Sequence, residues 1–516
     1  MSSRVLVIGV NSQYVHTNLA IRYYRENAGC DIFECSINDN IFDVYTKLSE
    51  KDYEIFAFSV YIWNREFCVR LIKMLKSTKN ITILAGGPEA AFGSDDFFRF
   101  CPQADAICFG EGENTFIALE NGCDLTKAPN LIFKDFKTEY IPTNLETMKF
   151  PYKKEDLPDS KILYFETSRG CIFNCSYCLS SAMEKTKYFS DEYVFRGIDF
   201  FIENNVKLVK LVDRTFNDND ERCCRILEYI INNSKNTHFH FEIAPMLISN
   251  RFLSLCEKAG DLIQLEIGIQ TTNPESMKAI NRIYNLDKVK ERVLKIPENV
   301  HTHMDIIAGL PFDTKESIKE AFNYVYSLKP DMLQLGFLKV LKGTKMESMQ
   351  NKFNIQTTAF PPYETLSTST LTASEMNDIR LTEKAVDRLY NSGAFKRCIN
   401  FVQEKDMYSF FENIGKKLFK IEYNAPLSRT GLYTALLKIL GEEYKEALAL
   451  DFLDNNKKAY LPEEFTDEIP DIKELHNKIK KLEQFRNKKI RLTAFCGKTY
   501  VICEDGNFDI SLFNLT

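Results

Sequence analysis

Short apolar runs alternate with amphipathic stretches from residue 4 to about residue 120. RVLVIGV, NLAIRYYRENAG, DIFECS, YEIFAFSV, REFCVRLIKMLKSTK, ITILAGG and DAICFGEGE follow one another in that order. Strand-like runs separated by helical periods predict a mostly parallel, doubly wound sheet. Such sheets bind ligands beyond the carboxyl ends of their strands. Here those ends carry Asn11 to His16, Ser59 to Trp63, the pair Gly86-Gly87, and Gly110-Glu111-Gly112-Glu113. Two glycine-rich strand ends in one small domain favour a backbone that a ligand approaches closely.

The rhythm breaks between residues 124 and 160, where four prolines and many charges interrupt short apolar runs, as in a linker with a hairpin. A second series follows, with strands expected at 162–167, 207–212, 238–243, 262–268, 303–308 and 332–338. Six strand-and-helix units predict a partial (β/α)6 barrel, shorter than the usual eight-unit barrel of about 250 residues. Beyond residue 360 the pattern becomes helical, as in SEMNDIRLTEKAVDRLYNSG, and the chain closes with IRLTAFCGKTYVICEDGNFDISLF, short strands joined by glycine turns. The expected divisions are residues 1–123, a linker at 124–160, a barrel at 161–360 and a mostly helical domain at 361–516.

With 516 residues, 44% of them hydrophobic, the chain can bury several cores. A net charge of −6 offers no basic stripe for a phosphate backbone, which argues against nucleic acid as the main partner. Neither a charged leader with a long apolar run nor a membrane-length apolar stretch is present, so a cytoplasmic protein with no membrane association is expected. Thiols stay reduced in that compartment, and Cys30, Cys35, Cys68, Cys101, Cys108, Cys123, Cys223, Cys224 and Cys256 are read as small apolar side chains.

TSRGCIFNCSYCLSS, at 167–181, is different: Cys171, Cys175 and Cys178 stand in a Cys-x3-Cys-x2-Cys spacing just after the first barrel strand. A structural zinc ion takes four ligands, commonly in two pairs, and the distant Cys496 and Cys503 look like strand residues. Three thiolates on a cubic 4Fe-4S cluster leave one iron open to a small chelating molecule. The cluster is the favoured reading and zinc the alternative.

This spacing, with the aromatic Tyr177 ahead of the third cysteine, resembles the signature of the radical S-adenosylmethionine (SAM) enzymes. The resemblance implies a 4Fe-4S cluster on Cys171, Cys175 and Cys178, SAM at the open iron, and reductive cleavage to a 5′-deoxyadenosyl radical with electrons from a reductant such as flavodoxin or ferredoxin. FEIAP at 241–245 resembles the third-strand motif of the family, which implies Glu242 at the amino end of SAM. LEIGIQTTNPESMKAINR resembles the fourth-strand motif, with Gln270 at the ribose and Arg282 at the carboxylate, and DIIAGLP the fifth, with Asp305 near the ribose hydroxyls. Tyr177 joins this SAM set. VDRTFNDND, at the second strand end, lacks the Gly-Gly-Glu motif of many relatives, so Asp213 and Asn217 receive no role in SAM binding.

The preceding α/β domain, flavodoxin- or Rossmann-like in class, resembles that of the cobalamin-binding subgroup, whose strand-end segments GGPEA and GEGENTF resemble. Implied corrin contacts are Ser59, Tyr61, the single tryptophan Trp63, Gly86, Gly87, Gly110, Glu111 and Gly112. Domains that coordinate cobalt through a protein imidazole carry Asp-x-His-x-x-Gly; here Tyr14 and Leu19 flank His16 at those positions, so that motif is absent. PPYETLST and YNSGAF resemble an uncharacterised subgroup with a C-terminal domain of unknown function. Together the resemblances imply a cobalamin-dependent methyltransferase that acts on an unactivated centre of an unknown small-molecule substrate. Two other readings stay open: cobalamin-dependent rearrangement or the sulfur insertion of RNA methylthiotransferases, and a non-enzymatic iron-sulfur sensor. The basic stretch KIKKLEQFRNKKIRL reads as a solvated helix face. No catalytic side chain is assigned, and Cys398, Cys496 and Cys503 are the only chemical pointers in the C-terminal part.

Overall fold

The computed structural model describes residues 3–157, 162–182, 186–402, 405–456, 459–469 and 471–512. They form two compact units, the first made of residues 1–314 and 337–372, the second of 315–336 and 373–516.

In the first unit, strands β1 (Val5–Asn11), β2 (Asp31–Ser36), β3 (Ile55–Ser59), β4 (Thr82–Gly86) and β5 (Ala106–Cys108) lie parallel in the order β2-β1-β3-β4-β5. A short strand, β6 (Leu131–Ile132), closes the edge antiparallel to β5. This is the flavodoxin-like doubly wound order, whose crossovers change direction between β1 and β3 and open a crevice there. Strand β1 is apolar throughout because both of its faces are covered. Leu6, Ile8 and Val10 join one core with Leu48 and Leu71 of helices Ile41–Ser49 and Arg65–Thr78. Val5 and Val7 join the opposite core with Ile21 and Phe116 of helices Leu19–Ala28 and Glu113–Glu120.

The segment expected as a linker is built into this unit. Besides contributing β6, it brings Asp156 onto Arg25 at 2.5 Å, and the Tyr152 hydroxyl both donates to the Tyr164 carbonyl (2.6 Å) and accepts from its amide (3.0 Å). The expected junction at residues 160 and 161 lies outside the described residues.

Strands β7 (Leu163–Phe165), β8 (Leu208–Leu211), β9 (His238–Ile243), β10 (Ile263–Gln270) and β11 (His301–Ala308) pair in parallel as neighbours in chain order. The sixth expected strand forms as β12 (Met332–Phe337). On β10 the apolar Ile263, Leu265, Ile267 and Ile269 are buried, while Gln264, Glu266, Gly268 and Gln270 alternate with them on the half-buried inner face. His301, His303 and Asp305 do the same on β11. The barrel therefore has a polar lumen. Outside it, Cys223, Cys224 and Cys256 are buried on helices Asp220–Asn233 and Asn250–Ala259, which pack together. Cys30, Cys68, Cys101 and Cys108 are buried too, and Cys35 and Cys123 half-buried.

The second unit is mostly helical. Helix Ala373–Val386 packs on helix Met407–Ile421, where a side chain at Gly415 would stand 2.1 Å from the Leu381 carbonyl oxygen. Its end is an antiparallel meander of Arg491–Phe495, Lys498–Cys503 and Gly506–Asp509. Cys496, read from sequence as a strand residue, is instead exposed in the two-residue turn with Gly497, both at positive φ (51° and 71°). It sits at one end of the middle strand and Cys503 at the other, so the two form no ligand pair. No helix among the described residues is long and apolar enough to cross a membrane.

Candidate functional site

The three-cysteine loop leaves β7 and is pinned at one end from a strand end and at the other by two short helices, Pro274–Ala279 and Lys345–Met349. Asp213, buried beyond β8, accepts from the Thr167 amide (3.0 Å), the Thr167 hydroxyl (2.7 Å) and the Ser168 hydroxyl (2.5 Å). Burial raises its pKa, and these hydrogen bonds oppose the rise. Gly170, at φ 94°, then turns the chain toward Cys171, whose Sγ lies 3.5 Å from the Thr215 hydroxyl. At the far end, the Ser176 amide donates to Ile280 O (3.0 Å), its hydroxyl to Ala279 O (2.9 Å), and its carbonyl accepts from the Met346 amide (2.8 Å). Asn217 is similarly occupied, bonding both the amide and the carbonyl of Ala244 beyond β9. Both residues are thus structural stitches. Among the described residues the three thiols are not drawn together within 4.8 Å, as ligands of one ion would be.

The expected SAM residues gather at the ends of β9, β10 and β11. Arg282 links them to the loop: one guanidinium nitrogen lies 3.7 Å from Cys175 Sγ and another donates to Gly268 O at 2.8 Å. Burial disfavours its charge, but the neighbouring Tyr177 and Cys175 outweigh burial and hold it cationic. Tyr177 packs against the cluster of Ile280, Leu310 and Leu338. Gln270 has φ 67°, an unusual backbone for its type, and crowds Gly268, where a β-carbon would stand 2.2 Å from its amide nitrogen. Burial pushes Glu242 up to about 7, with Glu266 and Asp213 adding to the rise and Arg214 opposing it. Asp305 is pushed up to about 8, by burial first and then by Glu266 and Glu242.

Three of these side chains hold a buried polar atom without a hydrogen-bond partner: Gln270 Oε1, Arg282 Nε and Asp305 Oδ1. An unsatisfied buried polar atom costs about 1–3 kcal/mol, so three around one set of strand ends mark a place shaped for a polar ligand. A carboxylate, an amine and ribose hydroxyls, as SAM carries, match this donor and acceptor set.

At the β1/β3 crevice of the first sheet, Tyr61 and Trp63 stack with centroids 4.4 Å apart and planes within 5°. Trp63 is 46% exposed and donates its indole N–H to Val10 O. A flat, partly open aromatic slab at a switch point fits a large planar group. His16, from the loop after β1, has its Nδ1 2.7 Å from the Tyr164 hydroxyl of β7. The glycines have reasons within the chain: a β-carbon on Gly87 (φ 98°) would stand 2.5 Å from Val60 O, one on Gly110 2.6 Å from the Tyr140 ring, and one on Gly112 2.7 Å from the Tyr24 hydroxyl.

Sequence reasoning missed Arg169. Its side chain, 11% exposed, meets Glu111 (3.0 Å), Glu113 (2.7 Å) and Glu166 (2.7 Å), tying the glycine-rich end of β5 to the loop that bears the cysteines. The other oxygen of Glu111 accepts from the Thr143 amide, so this carboxylate is fully engaged within the protein. The signal was the opposite charge of two loops, SRGC and GEGE, which no local pattern connects. Ser59 and Gly86 close the ends of β3 and β4, paired with each other in register.

Comparison with known proteins agrees with this architecture. Residues 5–120 match the B12 binding domain, residues 165–325 the radical SAM superfamily and residues 351–499 a protein family of unknown function, DUF4080. The chain is 25% identical over 314 residues to 2-(S-pantetheinyl)-carbapenam-3-carboxylate methyltransferase of Streptantibioticus cattleyicolor, and 24% identical over 310 residues to the cobalamin-dependent radical SAM methyltransferase TokK of Streptomyces tokunonensis. Each match takes in 52% of this chain and 44% of the relative, so the chain spans less than half the length of these curated relatives. Among solved structures, the cobalamin-dependent SAM radical enzyme OxsB, with aqua-cobalamin and SAM bound, superposes with a TM-score of 0.60 at 13% identity, over 88% of this chain and 79% of OxsB. In chain order, then, a B12 binding domain, a radical SAM domain and a DUF4080 domain follow one another.

Proposed function

We propose that this protein is a cobalamin-dependent radical SAM methyltransferase that transfers a methyl group to an unactivated centre of a small-molecule substrate. The carrying observation is the set of three orphaned buried atoms on Gln270, Arg282 and Asp305, gathered beside the three-cysteine loop. The methyltransferases among its relatives support the same reading.

In this reading Cys171, Cys175 and Cys178 hold the 4Fe-4S cluster. Tyr177, Glu242, Gln270, Arg282 and Asp305 hold SAM. Ser59, Tyr61, Trp63, Gly86, Gly87, Gly110 and Gly112 border the corrin, and Glu111 supports that border from behind through Arg169. When bound, cluster and SAM supply a radical able to abstract hydrogen, and cobalamin supplies a methyl carrier. The protein's own work is placement. Arg282, with its Nε unpartnered and another nitrogen 3.7 Å from Cys175 Sγ, would hold the SAM carboxylate next to the cluster ligand. Asp305, near neutrality through burial, can donate to or accept from a hydroxyl. The Tyr61–Trp63 slab would offer a flat apolar surface to the corrin and help to exclude water. An external reductant of the flavodoxin or ferredoxin class and a cytoplasmic location complete the proposal.

The test is anaerobic purification after expression with cobalamin supplied, followed by iron, sulfide and cobalt analysis. About four irons per chain with stoichiometric corrin are expected. Replacing Cys175 by alanine removes the iron and leaves the corrin. Full iron without corrin would overturn the methyl-transfer reading and keep the radical enzyme.

A further inference from the structure

We infer that the barrel lumen holds a second metal site, made of His240, Glu266 and His303, which takes a divalent transition-metal ion such as zinc or iron(II). The three strands that form it read HFHFE (238–242), QLEIG (264–268) and HTHMD (301–305). A strand period of two places His238, His240 and Glu242 on one face, then Gln264, Glu266 and Gly268, then His301, His303 and Asp305. The pairing register sets Glu266 opposite both Glu242 and His303, so this polar ladder lines the inside of the barrel one layer below the strand ends.

The donor atoms of His240, Glu266 and His303 all lie within 4.8 Å of one another. His240 Nε2 is 2.8 Å from Glu266 Oε2. Two ligands each about 2.0–2.1 Å from a common ion stand roughly 3 Å apart, so the ion fits with little rearrangement. His240 is 2% exposed, and its second nitrogen, Nδ1, faces the Gln264 side-chain oxygen at 3.4 Å. A ligating histidine commonly donates its other N–H to a carbonyl in this way, which leaves the Nε2 lone pair for the metal. The His303 ring is held edge-on by His301 (centroids 4.8 Å apart) and His240 (5.4 Å). Two imidazoles and one carboxylate form the donor set of catalytic zinc and of non-haem iron(II), with positions left open. Those positions face the lumen that Glu242 and Asp305 also line. Lys210, on the adjacent β8, is the competing cation, since its charge reaches Glu266 and His303.

The site contains no thiol, so it is separable from the cluster. In the Cys171→Ala, Cys175→Ala, Cys178→Ala chain, dialysed against zinc or cobalt(II) and then against buffer, elemental analysis is expected to find one ion per chain. Cobalt(II) should show visible d–d absorption. His303→Ala and Glu266→Gln should each weaken binding by about tenfold or more. His238→Ala, outside the triad, should leave it unchanged. Retained zinc in the cluster-loaded wild-type chain, beyond its iron, gives the same reading should the triple variant fail to fold. No stoichiometric ion in either chain, or equal binding by a folded His303→Ala chain, would overturn the inference and favour a Lys210–Glu266 pairing. Absence of cluster iron from the wild-type chain, with the lumen ion retained, would count against the proposed function alone.

Discussion

Asp213 shows how much one buried carboxylate does here, because it holds the first residues of the cysteine loop from a strand end 46 residues away in sequence. Asp213→Ala would leave the Thr167 and Ser168 donors without their acceptor. A loss of about 2–4 kcal/mol is expected, together with lower cluster iron per chain, read by thermal melts and iron analysis. Asp313 offers a pH test. Burial lifts its carboxyl from 3.8 to about 7, against hydrogen bonds from the Ser276 hydroxyl and the Leu310 amide. Its folded pKa exceeds its unfolded value, so the folded state holds the extra proton between the two. The group's contribution is therefore greatest below about pH 4, falls as pH rises toward 7 and is flat above. Asp313→Asn should remove that slope in melts recorded across this range. Gln270, Arg282 and Asp305 were legible in the sequence because the motifs that contain them are local and ordered along the chain. Asp213 and Arg169 were not, because their partners are distant and a single chain offers no register between loops.

At the scale of elements, the strands and helices followed from their periods: β1 through β5 and β7 through β12 all fall on runs singled out by alternation. The sheet order and the layering of side chains in the lumen did not follow, since both depend on pairing between strands far apart in sequence. Cys496 was misplaced for a local reason: a two-residue turn with Gly497 is easily absorbed into flanking strand residues. Two tests belong to this level. The β3 and β4 ends are pressed together at Gly87, where a side chain would meet Val60 O at 2.5 Å and the backbone has φ 98°. Gly87→Ala should cost about 2 kcal/mol or more and loosen corrin binding, measured by melts and by cobalamin titration. The Arg169 clamp joins the β5 loop to the β7 loop through three carboxylates. Arg169→Met strands those charges in a largely buried place and should destabilise the protein by about 3–5 kcal/mol, visible as a lowered denaturation midpoint.

The whole molecule places a crevice in a doubly wound sheet and the strand ends of a partial barrel in one compact unit, connected by Arg169 and by the His16–Tyr164 hydrogen bond. That arrangement is the reason to expect two uses of SAM by one chain. The most direct measurement supplies methyl-deuterated SAM and a strong reductant to the chain loaded with cluster and cobalamin, under strict exclusion of oxygen. Both 5′-deoxyadenosine and S-adenosylhomocysteine are expected, with the deuterated methyl group recovered on the corrin, and 5′-deoxyadenosine should be lost in Cys175→Ala. A chain shown to hold both cofactors that forms neither product would contradict cobalamin-dependent radical methyl transfer.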